Sequence, residues 1–337
     1  MVNLKFIARK AGVSAQTVSN VINNKITQTS EETRKKILDL VEQYSYRPSK
    51  IAVSLRKGKT KTIALLVPDI VFYPVYPIVF DIMENYLKNL GFNILLYNTG
   101  EDINREREAV NNLISNKVDG IIFIRIIEKN PYINKLPKNI PLVACLRAFE
   151  YWEVPSVLTD NRKIGYMATD HLIKNGHRNI IHLAGNQNLF AHKERLRGHK
   201  EALETNKINF NKDYVIYCDY KGANLYKDIL VKLKEINGYT AVFAYSDYVA
   251  INCIKALKLL GLKVADDISI VGVDNLDIGS LVDPPLTTIE QPFREISLKS
   301  AQLLIDCINN NTYDNKVITY NPKFIERESV RNIKCGK

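Results

Sequence analysis

The stretch AGVSAQTVSNVIN, residues 11–23, decides the N-terminal fold. Gly12 is a natural end for a first helix over Leu4–Ala11, and Ser14 is suited to cap a second helix that begins near Ala15. A helix, a tight glycine turn and a second helix together form a helix-turn-helix. The sequence therefore predicts this motif at the start of the chain.

The second predicted helix has one apolar face and one small polar face. Val18, Val21 and Ile22 recur at i, i+3 and i+4, so they share a face that must turn inward. The side chains left outside are Ala15, Gln16, Thr17, Ser19, Asn20 and Asn23. Short polar side chains suit a helix in a DNA major groove, where they reach base edges and phosphates. Gln16 is able to bind adenine through two hydrogen bonds, and Ala15 can contact a thymine methyl group.

A third helix completes the predicted N-terminal bundle. It begins at Ser30, or at Thr29 with Glu32 in a capping box, and runs to about Gln43. We expect it to bury Ile37, Leu38, Leu40 and Val41. The alternative to a DNA-binding domain is a three-helix bundle whose polar helix simply faces solvent.

The positive charge of the chain is concentrated at its N-terminus. The formal net charge is +11, and residues 1–61 alone carry 13 lysines and arginines against four acidic residues. The remaining 276 residues are almost balanced, with 34 basic and 32 acidic side chains. A charge run is often only a solvated surface, but together with the glycine turn and the polar helix face it favours nucleic acid as a partner.

The rest of the composition indicates a protein with ordinary cores. Of the 337 residues, 46% are hydrophobic and 25% charged, as in globular proteins. No apolar run reaches 18 residues and no signal peptide is apparent, so we expect a cytoplasmic, nucleoid-associated protein without a membrane partner. The five cysteines are odd in number and widely separated, which indicates free thiols and predicts no metal; we expect no cofactor.

From Lys61 onward, short apolar runs alternate with helical patterns in two consecutive sets. The first set has strands at 62–67, 93–97, 120–124 and 141–144, with helices at 75–90 and 103–115. The second has strands at 180–184, 214–217, 241–244 and 268–273, with helices near 162–175, 191–206, 222–236 and 247–260. Such repeats predict two doubly wound α/β parallel sheets. Ligands bind beyond the carboxyl ends of such strands, so a cleft between the two sheets is the expected site.

The N-terminal stretches AGVSAQTVSNVIN, TSEETRKKI and YSYRPSKIAVSL resemble the signature of the LacI/GalR family of repressors. The resemblance implies that Ser14, Thr17 and Asn23 contact phosphates. It also implies that Ala15, Gln16 and Asn20 read bases. The family usually has Arg where this chain has Asn20. That change removes the paired guanidinium donors that bind guanine, so we expect a different operator half-site.

The resemblance also assigns a role to the basic segment after the bundle. Ser49–Arg56 alone would pass for a linker, but in the family it is a hinge helix that folds on DNA. Leu55 would then enter the minor groove, next to Ala52, which permits close packing against a dimer mate. Arg56 would contact DNA beside them.

Further stretches extend the resemblance over the body of the chain, among them VPDIVFYPVY, NGHRNIIHLAG, ISIVGVDN and PPLTTIEQP in the order of the family. It implies a periplasmic-binding-protein-like body in which the chain crosses three times between two subdomains. We expect a helix-turn-helix domain at 1–45 and a hinge helix and linker at 46–60. The N-subdomain would comprise 61–160 with 292–318, and the C-subdomain 161–291 with 319–330.

Candidate effector-binding residues follow from strand-end position and from the resemblance. They are Tyr73, Arg125, Arg147, Asp160, Arg195, Tyr220, Asp247 and Asp274. For Asp247 and Asp274 the alternative is capping of a helix or loop. For Arg125 and Arg147 it is a structural ion pair with Asp160, Glu150 or Glu128. Three arginines against two or three carboxylates favour an anionic metabolite, such as a sugar phosphate, over a neutral sugar.

The sequence thus predicts a homodimeric repressor of a carbohydrate-related operon that binds a pseudo-palindromic DNA operator under the control of a sugar or sugar phosphate. A regulator of the same fold controlled by a phosphoprotein corepressor is the alternative. An enzyme is disfavoured, because no nucleophile elbow, dinucleotide fingerprint or zinc-protease motif is present. A periplasmic sugar binder would need an export signal instead of a helix-turn-helix.

Overall fold

The structure is a computed structural model that describes residues 2–25, 29–47, 59–70, 73–100, 102–124, 140–147, 154–218, 224–310 and 316–334. The chain divides into two compact units, Met1–Lys61 and Thr62–Lys337.

The described part of the first unit contains three helices: α1 (Leu4–Ala11), α2 (Ala15–Ile22) and α3 (Glu31–Gln43). The Asn3 side chain caps α1 by accepting from the Phe6 amide at 2.9 Å. Gly12 follows with φ 77°, a left-handed conformation that glycine adopts without strain. Ser14 Oγ caps α2 by accepting from the Thr17 amide at 3.0 Å. The predicted helix-turn-helix is confirmed, together with its predicted capping residues Gly12 and Ser14.

The core of this unit is formed where the three helices meet. Ile7, Val18 and Ile37 are fully buried. Ser30, and not Thr29, is the cap of α3, because Ser30 Oγ accepts from the Thr33 amide. The predicted burial of Leu38 is wrong, since this side chain is 43% exposed. The inward stripe of α3 runs through Ile37, Leu40 and Val41 at i, i+3 and i+4, and Leu38 lies to one side of it.

The second unit begins with a six-stranded parallel sheet in the order β11-β5-β4-β3-β1-β2. Its strands are β1 (Thr62–Val67), β2 (Asn93–Asn98), β3 (Gly120–Phe123), β4 (Leu142–Cys145), β5 (Ser156–Thr159) and β11 (Val317–Tyr320). Among the described residues, three helices cover it: α4 (Val75–Asn89), α5 (Ile103–Ser115) and α11 (Phe293–Asn310). Side chains of β1 alternate between the faces, so Ile63 and Leu65 meet α4 and α11, whereas Ala64 and Leu66 meet α5.

A second parallel sheet has four strands in the order β7-β6-β8-β9. These are β6 (Ile180–Ala184), β7 (Val215–Tyr217), β8 (Ala241–Ala244) and β9 (Ser269–Val271). The helices are α6 (Asn161–Lys174), α7 (Phe190–Thr205), α8 (Leu225–Glu235), α9 (Asp247–Leu259) and the short α10 (Asp277–Leu281). The pairs α6–α7 and α8–α9 cover opposite faces. The two predicted doubly wound parallel sheets are therefore confirmed.

Two short strands, β10 (Thr288–Glu290) and β12 (Lys323–Ile325), pair antiparallel with each other. Consequently the chain crosses between the sheets three times: between β5 and α6, between β10 and α11, and between β11 and β12. The last crossing follows Tyr320, not residue 318 as predicted, because all four residues of β11 pair with β5.

The three crossings are hydrogen-bonded to one another. Thr159 Oγ1 donates to Gln291 Oε1 at 2.9 Å. The Asp160 amide donates to the Tyr320 carbonyl at 3.0 Å, and Lys163 Nζ donates to Asn321 Oδ1 at the same distance. These bonds hold three segments that are distant in sequence at one edge of the body.

Candidate functional site

The exposed face of α2 carries a set of side-chain hydroxyls and amides. Ser14 Oγ and Thr17 Oγ1 lie 2.9 Å apart, and Gln16 Nε2 donates to Asn20 Oδ1 at 2.9 Å. Asn23 Nδ2 donates back to the Ser19 carbonyl at 2.6 Å. All the polar residues predicted to contact DNA on this helix are thus gathered on one surface.

Ala15 differs from the other predicted DNA contacts because it is half-buried and packs against the core of the unit. The exposed basic side chains of the described part of this unit lie outside α2: Lys5, Arg9, Lys10, Lys25, Lys35, Lys36, Arg47, Lys59 and Lys61. A polar helix in a unit rich in cations suits a DNA backbone, whose phosphates supply most of the binding free energy. The predicted hinge residues Ala52, Leu55 and Arg56 lie outside the described residues.

In the second unit, a cleft lies at the carboxyl ends of strands from both sheets. Residues that follow β3, β4, β8, β9 and β10 line it, together with the first turn of α7. Four of the predicted effector-binding residues are brought together here: Tyr73, Arg147, Arg195 and Asp274. The predicted Arg125 and Tyr220 lie outside the described residues.

Arg195 projects from α7 into the cleft and is almost fully buried. Its Nε donates to Asn161 Oδ1 at 2.9 Å and its Nη1 donates to the Tyr245 carbonyl. Two glycines allow α6 and α7 to approach closely enough for this. A Cβ on Gly165 would collide with the carbonyl oxygen of Arg195, and a Cβ on Gly198 would collide with that of Arg162.

Asp274 is the carboxylate of the cleft. It accepts from Gln291 Nε2 at 2.7 Å, so a chain of hydrogen bonds runs from Thr159 through Gln291 to Asp274. Burial raises the pKa of Asp274 to about 6, against the opposing effects of Arg195 and of the hydrogen bond from Gln291. The backbone at Asp274 has φ 115°, a strained value for a residue with a Cβ, and such strain is concentrated at functional sites.

The other two predicted carboxylates do not line the cleft. Asp247 is fully buried and accepts from the Leu276 amide at 2.8 Å and from Thr288 Oγ1 at 2.5 Å. It therefore anchors the loop that carries Asp274. Burial and then the Asp274 carboxylate raise the pKa of Asp247 to about 8, so at neutral pH this group is mostly protonated.

Asp160 caps α6, where its Oδ1 accepts from the Lys163 amide at 2.8 Å. For Asp247 the structure supports the loop-stabilising alternative, and Asp160 likewise serves as a helix cap. A carboxylate at a strand end can point into the cleft or back to its own loop, and the two cases look alike in sequence.

Arg147 lines the cleft just after β4 and is 6% exposed. The preceding Leu146 also lines the cleft and has φ 64°, a conformation that β-carbon-bearing residues rarely adopt. Leu146 therefore adds an apolar side chain to the same cleft lining as Arg147. Arg147 and Arg195 thus come from different sheets and meet at one cleft.

Half of the remaining described lining residues are aromatic or amide-bearing, and these were not predicted. The Tyr73 and Tyr76 rings lie 5.1 Å apart, and the His192 ring lies 4.6 Å from that of Tyr245. Other unpredicted lining residues include Asn161, Phe190, Gln291 and Phe293. The family-like stretch PPLTTIEQP ends on the crossing that carries Gln291, but no local pattern distinguishes it from a surface amide.

Metal-binding and membrane-spanning features are absent from the described residues. Among them no group of three or more His, Cys, Asp or Glu side chains is arranged to hold a metal ion. No helix in that part of the chain combines the length and the apolar character needed to cross a membrane. The four cysteines described there, Cys145, Cys218, Cys253 and Cys307, are buried free thiols.

Comparison with protein families gives two matches. Residues 3–49 match the bacterial regulatory proteins of the lacI family, and residues 169–330 match a periplasmic binding protein-like domain. Among solved structures, a complex of the transcriptional regulator CelR with cellobiose aligns with a TM-score of 0.74 and 28% identity over 98% of this chain and 100% of that chain. The lac repressor dimer bound to operator and the anti-inducer ONPF has a TM-score of 0.87 over 98% of this chain and 99% of that chain; at 24% identity it shows the fold alone.

Sequence relatives cover the whole chain. The HTH-type transcriptional repressor PurR of Aliivibrio fischeri (strain MJ11) is 31% identical over 336 residues, which are 98% of this chain and 99% of that protein. PurR of Photobacterium profundum is 32% identical over 338 residues, 99% of this chain and 100% of that protein. The chain therefore belongs to the LacI family of bacterial regulatory proteins, as a DNA-binding transcriptional repressor of the LacI and PurR type.

Proposed function

We propose that this repressor is controlled by an anionic small-molecule effector, such as a sugar phosphate, bound in the cleft of its second unit, and that it regulates a carbohydrate-related operon. The observation that carries the proposal is the charge of the cleft. Two arginines, Arg147 and Arg195, line it, and Asp274 is the one acidic residue among its described lining residues. A phosphate group matches guanidinium donors in both charge and geometry.

Aromatic side chains also line the cleft. Tyr73 and Tyr76 lie in one part of the lining, and His192 and Tyr245 in another. This lining supports a second candidate effector, a planar purine, which the name of the PurR relatives also suggests. A purine alone carries no negative charge at neutral pH, so the two arginines favour the phosphate-bearing compound.

A direct test compares glucose 6-phosphate, glucose and hypoxanthine for their effect on operator binding by the full chain. We expect the phosphorylated sugar to bind in calorimetric titration and to shift operator affinity. Arg147→Ala should weaken that response by about 10- to 100-fold, because a charge-assisted hydrogen bond contributes roughly 1.5–3 kcal/mol. Operator binding without effector should stay unchanged.

Arg197→Ala is the matched control. Arg197 lies on the same helix as Arg195 but is exposed and pairs with Glu194 at 2.5 Å. A response that survives in the control and not in Arg147→Ala supports the proposal. A neutral sugar or hypoxanthine that shifts operator affinity equally in the parent and in Arg147→Ala would overturn it. Binding of a phosphocarrier protein, with no response to any of the three compounds, would favour the phosphoprotein alternative.

We further propose that the repressor acts as a homodimer on a pseudo-palindromic operator. One helix-turn-helix contacts too little DNA for tight specific binding, and two-fold symmetry doubles the contact. Exposed apolar side chains on the second unit support a self-association surface. Ile278 and Leu281, three residues apart on α10, are 53% and 81% exposed. Large exposed apolar side chains of this kind mark association surfaces when they cluster.

A further inference from the structure

The DNA-facing helix α2 carries no charged side chain. Its sequence is AQTVSNVI, and the basic residues of the first unit lie on the other segments. Arginine and lysine bind guanine because they donate to its two major-groove acceptors, O6 and N7. With neither residue on α2, base selection by this helix rests on its amides and hydroxyls.

The two amides on α2 that the family resemblance assigns to base reading are bonded to each other. Gln16 and Asn20 are one turn apart, and Gln16 Nε2 donates to Asn20 Oδ1 at 2.9 Å. The bond uses one N–H of Gln16 and fixes the plane of its amide. When the N–H on the far side from Oε1 makes this bond, Gln16 keeps its Oε1 acceptor and the adjacent N–H for another partner.

An acceptor and a donor side by side match one base edge. Adenine presents an N6–H donor next to the N7 acceptor, whereas guanine presents two acceptors and cytosine only a donor. Without the bond to Asn20, the exposed Gln16 side chain would sample several rotamers and lose entropy on binding. We propose that Gln16 and Asn20 act as one amide pair, in which Asn20 orients Gln16 to select an adenine in each operator half-site.

The proposal makes Asn20 a positioning residue for Gln16 and not a separate reader of a second base. This has a measurable consequence, because both side chains then control the same base pair. Two independent readers would each control a different base pair. The pair also depends only on an acceptor at position 20 that reaches Gln16, so aspartate should replace asparagine in this role while glycine or alanine should not.

The test is selection of DNA duplexes by the full chain from a library of inverted repeats with randomised half-sites, followed by sequencing. The parent should prefer adenine by about tenfold or more over guanine at one position of each half-site. Gln16→Ala should abolish this preference. Asn20→Ala should weaken it several-fold at the same position.

Asn20→Asp should retain the preference, since Asp keeps the oxygen that accepts from Gln16, although its charge lowers affinity for every sequence. Asn23→Ala is the control, because the Asn23 amide turns back to Ser19; it should lower affinity evenly and leave the preferred bases unchanged. Thermal unfolding of each variant verifies that the first unit remains folded.

Three results would overturn the proposal. The first is relaxation of different positions by Gln16→Ala and Asn20→Ala, which would mean independent reading. The second is a guanine or cytosine preference at the position that Gln16→Ala relaxes, or no position that it relaxes. The third is an equal loss of preference in Asn20→Asp and Asn20→Ala, because the accepting oxygen would then be irrelevant.

Discussion

At the scale of single residues, Asp247 shows how the surroundings of a carboxyl group decide its role. It stands at a strand end like Asp274, yet its oxygens accept from Leu276 and Thr288 and not from a ligand in the cleft. Its pKa of about 8 lies far above the value of an exposed aspartate. The folded state therefore holds a proton on Asp247 that the unfolded state releases in the acid range.

This proton makes stability depend on pH. Because the folded pKa is raised, the contribution of Asp247 to stability is complete below the unfolded pKa near 4 and is lost as pH rises through about 8. Asp247→Asn keeps the hydrogen-bonding shape without the charge. We expect the variant to gain stability relative to the parent as pH rises from 5 to 8, by up to about tenfold in the folding equilibrium per pH unit.

Chemical denaturation of both proteins at several pH values measures this difference. Asp119→Asn serves as the control, since Asp119 is a partly buried carboxylate that accepts from the Thr62 amide at 3.1 Å, well away from the cleft. A difference between Asp247→Asn and the parent that stays constant from pH 5 to 8 would contradict the raised pKa.

The sequence predicted only some of the single residues that line the cleft. Arg147, Arg195, Tyr73 and Asp274 were found because charged and aromatic side chains at strand ends, or at the family's positions, stand out. Asn161 and Gln291 were missed, since an amide has no periodicity and its direction is set by partners remote in sequence. Gln291, for example, gains its role only through Thr159 and Asp274.

At the scale of elements, the crossing of α6 and α7 depends on a pair of glycines. Gly165 and Gly198 each face the backbone of the opposite helix so closely that a Cβ would collide with a carbonyl oxygen. A backbone atom cannot move aside as the end of a flexible side chain can. The helices must therefore separate to accept a methyl group at either position.

Gly198→Ala should lower the free energy of unfolding by about 1–3 kcal/mol, the usual cost of overpacking, despite the better helix propensity of alanine. It should also weaken the response to glucose 6-phosphate, because separation of the helices moves Arg195 away from Asn161. Gly279→Ala is the matched control: a Cβ there meets its nearest atom at an ordinary 3.6 Å. Equal stability of the two variants in denaturant titration would contradict the argument.

The β-α repeats were predictable, whereas most of the segments beside the crossings were not. The first-unit helices have the periodicity that a pattern needs, and the apolar strands β1, β3, β6 and β8 alternate with helical segments. Strands β5, β10 and β12 stand beside the crossings, where no such alternation marks them. Their positions are set by pairing with distant segments, so only the folded topology defines them.

At the scale of the whole molecule, the proposed dimer can be tested through α10. Leu281→Glu puts a charge on the most exposed large apolar side chain of the described residues. We expect it to raise the dimer dissociation constant by roughly tenfold or more, since burial of an unpaired charge is unfavourable. Operator affinity should fall with it, because each monomer contacts only one half-site.

Analytical ultracentrifugation and operator titration at matched protein concentrations measure the two effects. Val317→Glu is the control. Val317 is 57% exposed but lies on β11 of the first sheet, whereas α10 follows the last strand of the second sheet. Undiminished dimerisation and operator binding in Leu281→Glu would exclude α10 from the contact between copies.

The three hydrogen-bonded crossings between the sheets have a mechanical consequence. Two bodies joined at one point can rotate about any axis, whereas bodies joined at three adjacent points retain little more than one rotation. The bonds that link Thr159 to Gln291 and Asp160 to Tyr320 keep these points adjacent. Any closure of the cleft would then follow that one rotation, so we expect every compound that closes it to drive the same motion. Substitutions in the lining can therefore change which compound is detected while the motion that reports it stays the same.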